Sequence, residues 1–384
     1  MQLSNEVAAL LHDAVLLRQK LHRIPETAFE EFETRDFVLS ELRRCNPDEI
    51  ISLSETGLKA IWYAKNPKST IAFRADMDAL NMEEANCTDY VSEHPGKMHG
   101  CGHDGHMTML LLLAKLINRH KAELENNIVL IFQPAEEGKG GARIMISAGA
   151  LKNPDVDRIY GMHLWPAVPK GKIGVRWGEQ MSHSCELDII AHGRSAHGAS
   201  PQKGVDAVVA TAEFISMMQA AITRSVDPHQ DALLTIGRIN GGVARNIIAD
   251  RVEMNATLRV FSSEVYDQLM TRIHAIAEGL GLATGAKFEI NELMQYPCVY
   301  NPRWLVEDFY TYMDMDDIVL VDPAMASEDF ACYQQEIPGL FLFLGVGGGK
   351  NTQPLHNIRF DFDEDVLLIG TEIYRRLAGL GEKL

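Results

Sequence analysis

Between Met98 and Met107 the chain reads Met-His-Gly-Cys-Gly-His-Asp-Gly-His-Met, which gathers one thiol and three imidazoles into a short, glycine-broken run. Cysteine and histidine bind borderline and soft divalent metals, and glycine lets a backbone turn tightly beside a bound group. Cys101 and His103 are therefore candidate metal ligands. Further candidates come from three other places: Glu137 in Pro134-Ala135-Glu136-Glu137-Gly138, His163 after an apolar run, and His356 in Leu355-His356-Asn357. Five ligands exceed what one tetrahedral ion takes, which points to two divalent ions sharing a site. His99 and His106 are left out of the ligand set, the one preceding the turn and the other opening the helix that follows.

The Glu136-Glu137 pair adds a reactive group. Adjacent side chains of extended backbone point in different directions, so one carboxylate can bind metal while its neighbour stays available as a base. Spacing alone does not say which is which. A divalent ion lowers the pKa of water bound to it, and a nearby carboxylate can take that proton and later deliver it to a leaving amine. This combination suits amide hydrolysis. Taken singly the motifs have plainer readings: a Glu-Glu pair is usually solvated surface, and a histidine after an apolar strand is usually a hydrogen-bonded core residue.

The surrounding elements must bring these segments together. Residues 7–23 and 26–44 read as helices on either side of Pro25. Strands are expected near 57–63 and 69–78, and a helix from the metal-like loop to about His120. Asn127–Gln133 is a continuous apolar run, as in a strand buried on both faces. A helix over 142–150 and a strand over 158–163 continue an alternation that predicts a mostly parallel sheet flanked by helices. Sites in such sheets gather where strands end, and Asp76, Glu136, Glu137 and His163 all fall there.

From about Trp177 the pattern changes. Ser184–Ala191 alternates like a half-exposed strand, followed by a helix (205–224), strands (232–239 and 251–261), a helix (265–279) and a strand (287–293). That order predicts a ferredoxin-like α+β domain, an antiparallel sheet with two helices on one face. After Pro297 the first pattern resumes with a helix (303–313), a strand (340–345) and a closing helix (364–380). The expected fold class is thus α/β, a discontinuous catalytic domain (1–181 and 296–384) interrupted by an inserted domain (182–295).

At 384 residues the chain can bury a substantial core, and its formal charge of −17 argues against a nucleic-acid or anionic-membrane partner. The first residues lack the features of a signal peptide, and no apolar run approaches the roughly 20 residues that span a bilayer. Six scattered cysteines suit reduced thiols rather than a disulfide framework. A cytoplasmic protein is expected.

Four motifs in order, Arg74-Ala75-Asp76-Met77-Asp78-Ala79-Leu80, His99-Gly100-Cys101-Gly102-His103-Asp104, Gln133-Pro134-Ala135-Glu136-Glu137-Gly138 and Met325-Ala326-Ser327-Glu328-Asp329-Phe330, resemble one known set. The chain is similar, from His22-Arg23-Ile24-Pro25-Glu26 to Leu355-His356-Asn357, to the metal-dependent amidohydrolases that include aminoacylases, hippurate hydrolases, auxin-conjugate hydrolases and N-acetyl-diaminopimelate deacetylases. The resemblance implies a zinc-aminopeptidase-like catalytic domain with two metal ions on Cys101, His103, Glu137, His163 and His356, and Glu136 as general base. Asp76 and Asp104 are expected behind the ligands. It also implies that the inserted domain is a lid that carries a homodimer contact. In the wider superfamily a lid histidine polarises the scissile carbonyl in the partner's site, and the matching position is His197. Asn246 matches a lid asparagine near the substrate. Arg259 matches an arginine that holds the substrate carboxylate, for which bidentate guanidinium geometry is suited. Many relatives carry paired glycines before the lid histidine, where this chain has Arg194-Ser195-Ala196.

The expected reaction is hydrolysis of a small-molecule N-acyl-L-amino acid to a carboxylate and a free amino acid. Manganese or zinc leads among the metals, with nickel and cobalt also compatible with the donor set. The alternatives are a metallo-carboxypeptidase or dipeptidase using the same residues, and a catalytically silent metal- or ligand-binding protein. Glu136 argues against the last, since a binder has no use for a base beside its metal.

Overall fold

The computed structural model describes residues 1–348 and 353–381. Contacts divide the chain into two units, Met1–Gln180 with Tyr300–Asp322 and Asp329–Leu384, and Met181–Val299 with Pro323–Glu328.

In the first unit, α1 (Asn5–Ala8), α2 (Leu11–Arg23) and α3 (Phe32–Arg44) precede strands β1 (Glu49–Ser52), β2 (Leu58–Trp62) and β3 (Thr70–Asp76). Helix α4 (His103–Arg119) leads to β4 (Asn127–Gln133), a single irregular turn α5 (Glu136–Lys139), α6 (Gly141–Ser147), β5 (Arg158–Pro169), β6 (Ile173–Val175) and β7 (Gly178–Met181). The second unit contributes β8 (His183–His192), α7 (Ala207–Ser225), β9 (Ala232–Gly241), β10 (Arg251–Val260), α8 (Ser263–Thr284) and β11 (Lys287–Tyr296). The chain then passes through β12 (Val299–Asn301), α9 (Arg303–Tyr310), β13 (Ile318–Leu320), α10 (Phe330–Glu336), β14 (Gly339–Gly347) and α11 (Val366–Leu377).

The large sheet has the order β1-β2-β4-β3-β5-β14-β6-β13. Its centre, β4-β3-β5-β14, is parallel, while β1-β2, β2-β4 and β14-β6 pair antiparallel. Strands β3 and β4 are buried along their whole length, as their unbroken apolar runs require. Helix α4 is buried through most of its length, and Leu110, Leu111, Leu112 and Leu113 join the main core. It fixes the loop at its N-terminus firmly against the sheet.

The smaller sheet is antiparallel with the order β11-β8-β10-β9. Alternate residues Cys185, Leu187 and Ile189 of β8 share a core with Phe214 and Met218 of α7 and Leu269 and Ile273 of α8. Both helices therefore cover one face, the period-two burial of β8 and β10 matching their sequence alternation. Among the described residues no helix is long and apolar enough to cross a membrane.

Several expected elements differ in extent. The helix over 7–23 breaks between α1 and α2 at Ala9 and Leu10. The helix expected from Glu26 begins only at Phe32. Residues 26–31 instead form a turn in which Phe29 is left-handed (φ 67°) and the Glu26 carboxylate caps α3 by accepting the Thr34 N–H at 2.8 Å. The strand starting at Arg158 runs past His163 to Pro169, because β14 pairs beside it throughout.

Candidate metal centre

The cysteine- and histidine-bearing loop reaches α4 through Gly102, which sits at the N-cap with φ 85°. A Cβ there would lie 2.9 Å from Leu164 Cδ1. Glycine both permits the left-handed turn and lets the loop lie close over β5. Cys101 is thereby set beside His163, Sγ to Nε2 3.4 Å, and both are buried. His163 points its other nitrogen, Nδ1, at the Leu164 carbonyl (2.7 Å). It lies beyond the last β3 partner of β5, Gly161, so it occupies the place where one parallel neighbour has stopped and the other continues.

His103, the first residue of α4, donates from Nδ1 to the Asp78 carbonyl oxygen (2.8 Å). In the neutral ring that bond leaves the lone pair on Nε2, which is fully buried with no hydrogen-bond partner. One donor atom from each of Cys101, His103 and His163 lies within 4.8 Å of the others. The same separation links Cys101, Glu137 and His356, and links His103, Glu136 and Glu137. His356 is held by two contacts: its N–H donates to Gly100 O (2.9 Å) and its ring Nε2 lies 3.1 Å from Glu137 Oε1. It adopts φ 61°, a left-handed conformation that a non-glycine residue keeps only where its surroundings enforce it.

The structure thus brings Cys101, His103, Glu137, His163 and His356 together, with Glu136 among them. The two glutamates are separated differently from the sequence expectation. They do not lie on extended backbone; Ala135 is left-handed (φ 60°), Glu137 has φ −70° and ψ 79°, and Gly138 is left-handed again (φ 78°). Gly141 allows this turn to close, since a Cβ there would fall 1.7 Å from Pro134 O. The Asp78 carboxylate grips the turn, accepting the Glu136 N–H at Oδ1 (3.0 Å) and the Glu137 N–H at Oδ2 (2.8 Å). Asp78 escaped the sequence reading. Its signal was the Asp76-Met77-Asp78 spacing just past the end of β3.

Asp76 backs the site through His106. It accepts from His106 Nδ1 (2.6 Å) and from Arg74 Nη1 (2.7 Å), while His106 Nε2 accepts the Leu164 N–H (2.9 Å). With both nitrogens engaged, His106 has no lone pair to offer a metal. Asp104 faces elsewhere, to Arg18 Nε (2.9 Å) and His22 Nδ1 (2.7 Å), in a buried ionic group that also includes Asp361. It therefore braces α4 against α2 and touches none of the candidate ligands by an ion pair. His99 is buried with neither ring nitrogen hydrogen-bonded, and burial drops its pKa to about 3.

The electrostatics favour a cation in this cluster. Burial opposes charge on His103, yet Asp76, Asp78 and Glu137 raise its pKa to about 10. Burial and the neighbouring Glu137 and Glu136 carboxylates push the Cys101 thiol well above its ordinary range. Crowded acids beside a buried imidazole nitrogen that lacks a hydrogen bond are what a divalent ion would neutralise, and bound metal deprotonates a coordinating thiol. The donor set fits metal.

His197, Asn246 and Arg259 belong to the second unit. His197 is exposed and bridges Ile247 in an isolated antiparallel pair, next to the equally exposed Asn246, whose carbonyl accepts the Gly198 N–H (2.8 Å). Arg259 is half-buried on β10 and donates from Nη1 to Met325 O (2.7 Å).

Comparison with known proteins adds an independent line. Residues 72–379 match Peptidase family M20/M25/M40. The chain is 36% identical to an N-acetyldiaminopimelate deacetylase of Leuconostoc citreum (strain KM20), covering 92% of each. It is 34% identical to the protein of the same name from Bacillus subtilis (strain 168), covering 93% of this chain and 95% of that one. Among solved structures, a Bacillus subtilis dinuclear metal binding peptidase from the M20 family superposes with a TM-score of 0.84 at 31% identity, covering 97% of this chain and 98% of that one.

Proposed function

Since the chain belongs to peptidase family M20/M25/M40, a family of metal-dependent hydrolases, we propose that it cleaves the amide bond of N-acyl-L-amino acids, N-acetyl conjugates first among them. The observation that carries this reading is the set of overlapping donor groups Cys101–His103–His163, Cys101–Glu137–His356 and His103–Glu136–Glu137, with His103 Nε2 buried and without a hydrogen bond. The N-acetyl preference follows the names of the relatives.

Those five residues would hold two divalent ions, manganese or zinc before nickel or cobalt. Such ions supply Lewis acidity toward the acyl oxygen and make bound water a nucleophile near neutral pH. The chain's own residues do the rest. Glu136 takes the proton of the attacking water on a carboxylate oxygen and passes it to the departing amine nitrogen. Asp78 holds Glu136 and Glu137 by their amides, so neither carboxylate must reorganise during the reaction. Asp78 O and Leu164 O fix the tautomers of His103 and His163. In this reading Arg259 pairs with the substrate carboxylate, Asn246 orients the substrate and His197 donates to the developing oxyanion. The second unit serves as lid and homodimer contact. A cytoplasmic setting suits six cysteines that are all free.

The test is release of free amine from N-acetyl-diaminopimelate, N-acetyl-, N-benzoyl- and indole-acetyl-amino acids and dipeptides, with each metal added to metal-stripped protein. Glu136→Gln should lower turnover by about 10²–10⁴-fold with metal content unchanged. Cleavage of dipeptides alone would favour the peptidase alternative, and full turnover by Glu136→Gln would remove Glu136 as the base.

A further inference from the structure

Glu31 is wholly buried, yet it belongs to no part of the mechanism above. It stands at the N-cap position of α3, where a side chain ordinarily bonds the first helical amides, but it makes no such bond. Glu26 does that work through Thr34, leaving Glu31 to reach inward.

What Glu31 reaches is the backbone beside the two catalytic-centre glutamates. Its Oε1 accepts the Ala135 N–H (3.0 Å) and the Phe29 N–H (3.0 Å), and its Oε2 accepts from Thr56 Oγ1 (2.8 Å). Both amide donors belong to left-handed non-glycine residues, Phe29 at φ 67° and Ala135 at φ 60°. A single oxygen therefore ties two otherwise disfavoured conformations to each other. Three consecutive amides, 135 to 137, are then held by two buried carboxylates, Glu31 at the first and Asp78 at the next two.

We propose that Glu31 is a positioning residue, a latch that sets the left-handed Ala135 turn so that the Glu136 and Glu137 carboxylates face the metal cluster. Its action is geometric: one oxygen accepting two amides, with Thr56 fixing the carboxyl plane. A glutamine can do the same, its carbonyl accepting both amides and its Nε2 donating to the Thr56 hydroxyl. Alanine cannot. The effect on turnover rests on the functional reading above, whereas the effects on backbone protection and metal affinity do not.

The experiment compares Glu31→Ala, Glu31→Gln and Thr56→Val. Hydrogen exchange is followed in peptides covering residues 133–140 of metal-free protein, and cobalt affinity is measured by competition with a chelator. Glu31→Ala should speed exchange across 135–137 and weaken cobalt binding by about 10–100-fold, the range for losing a group that orients ligands. Glu31→Gln should restore both, and Thr56→Val should fall between them. Should Glu31→Ala fail to fold, Thr56→Val and Glu31→Gln carry the comparison. Wild-type exchange and cobalt affinity in Glu31→Ala, or in Thr56→Val where that variant stands in, would overturn the latch. So would a Glu31→Gln variant as impaired as the alanine, since charge rather than geometry would then be at work. Wild-type protein that binds cobalt and keeps the latch but cleaves no acyl amino acid would refute the substrate reading and leave Glu31's role standing.

Discussion

Asp76→Asn tests whether the site depends on the residues behind its ligands. Asp76 is buried and remains ionised because, against the cost of burial, His103, His106 and Arg74 hold its pKa well below the usual carboxylate range. Asparagine keeps the volume but removes the charge, and its amide can accept from only one of the two donors now served, His106 Nδ1 or Arg74 Nη1. Arg74 retains Asp329 (2.6 Å) and Gln133 (2.8 Å), so the loss falls short of an isolated buried charge. One charge-assisted hydrogen bond lost and one donor mispaired amount to about 3 kcal/mol of metal-free stability. The second effect is local. Without Asp76 the His106 ring no longer has its Nδ1–H fixed, so its Nε2 is no longer reliably the acceptor for the Leu164 N–H beside His163. Metal affinity should fall about 10–100-fold, or roughly 1.4–2.7 kcal/mol. Urea midpoints of metal-free protein report the first quantity, and chelator competition the second. Asp329→Asn is the control, because it removes a carboxylate from the same guanidinium without touching His106. It should lose comparable stability and keep wild-type metal affinity. Equal metal affinities in the two variants would refute the link from Asp76 through His106 to His163.

Cys101→Ser should release metal more readily than wild type, since a hydroxyl replaces the softest donor of the cluster; unchanged stoichiometry by elemental analysis after dialysis would exclude Cys101 as a ligand. Stability should also depend on pH through Glu31, whose pKa burial and the nearby Asp78 charge raise to about 7 from 4.5. The native state then binds the proton more tightly than the unfolded chain, so this contribution is complete below about pH 4.5 and is lost as pH rises through 7. At most about 3 kcal/mol is involved, and the slope should be missing from Glu31→Gln in denaturant titrations between pH 5 and about 8.

The parts of the fold carried by regular periodicity were legible from residues alone. The apolar run Asn127–Gln133 is β4 to the residue, and the alternation near Ser184 is β8. Short elements were not: β1, β6, β7, β13 and α10 are each too brief to repeat a period, and the partners of β6, β7 and β13 lie far away in sequence. The candidate ligands could be picked out because thiols, imidazoles and paired acids are conspicuous beside glycine and proline. Groups that act through backbone amides could not. Asp78 and Glu31 look like ordinary acids in sequence, and only the left-handed turn at Ala135 shows what their carboxylates accept. The bond of His106 to Leu164 depends on β5 running on past His163, which the end of the apolar pattern did not reveal.

Strand β14 lies between β5 and β6 although it is made long after both, and it sets Phe343 opposite His163. On the ribosome the large sheet therefore stays open along β5 until residue 347 has emerged, while residues 181 to 299, all of the second unit except Pro323–Glu328, have already emerged as a continuous segment. Throughout that interval an apolar, half-paired edge is exposed to other chains. His356 emerges later still. The cluster of five candidate ligands is thus complete only once residue 356 has joined the four that lie before residue 164.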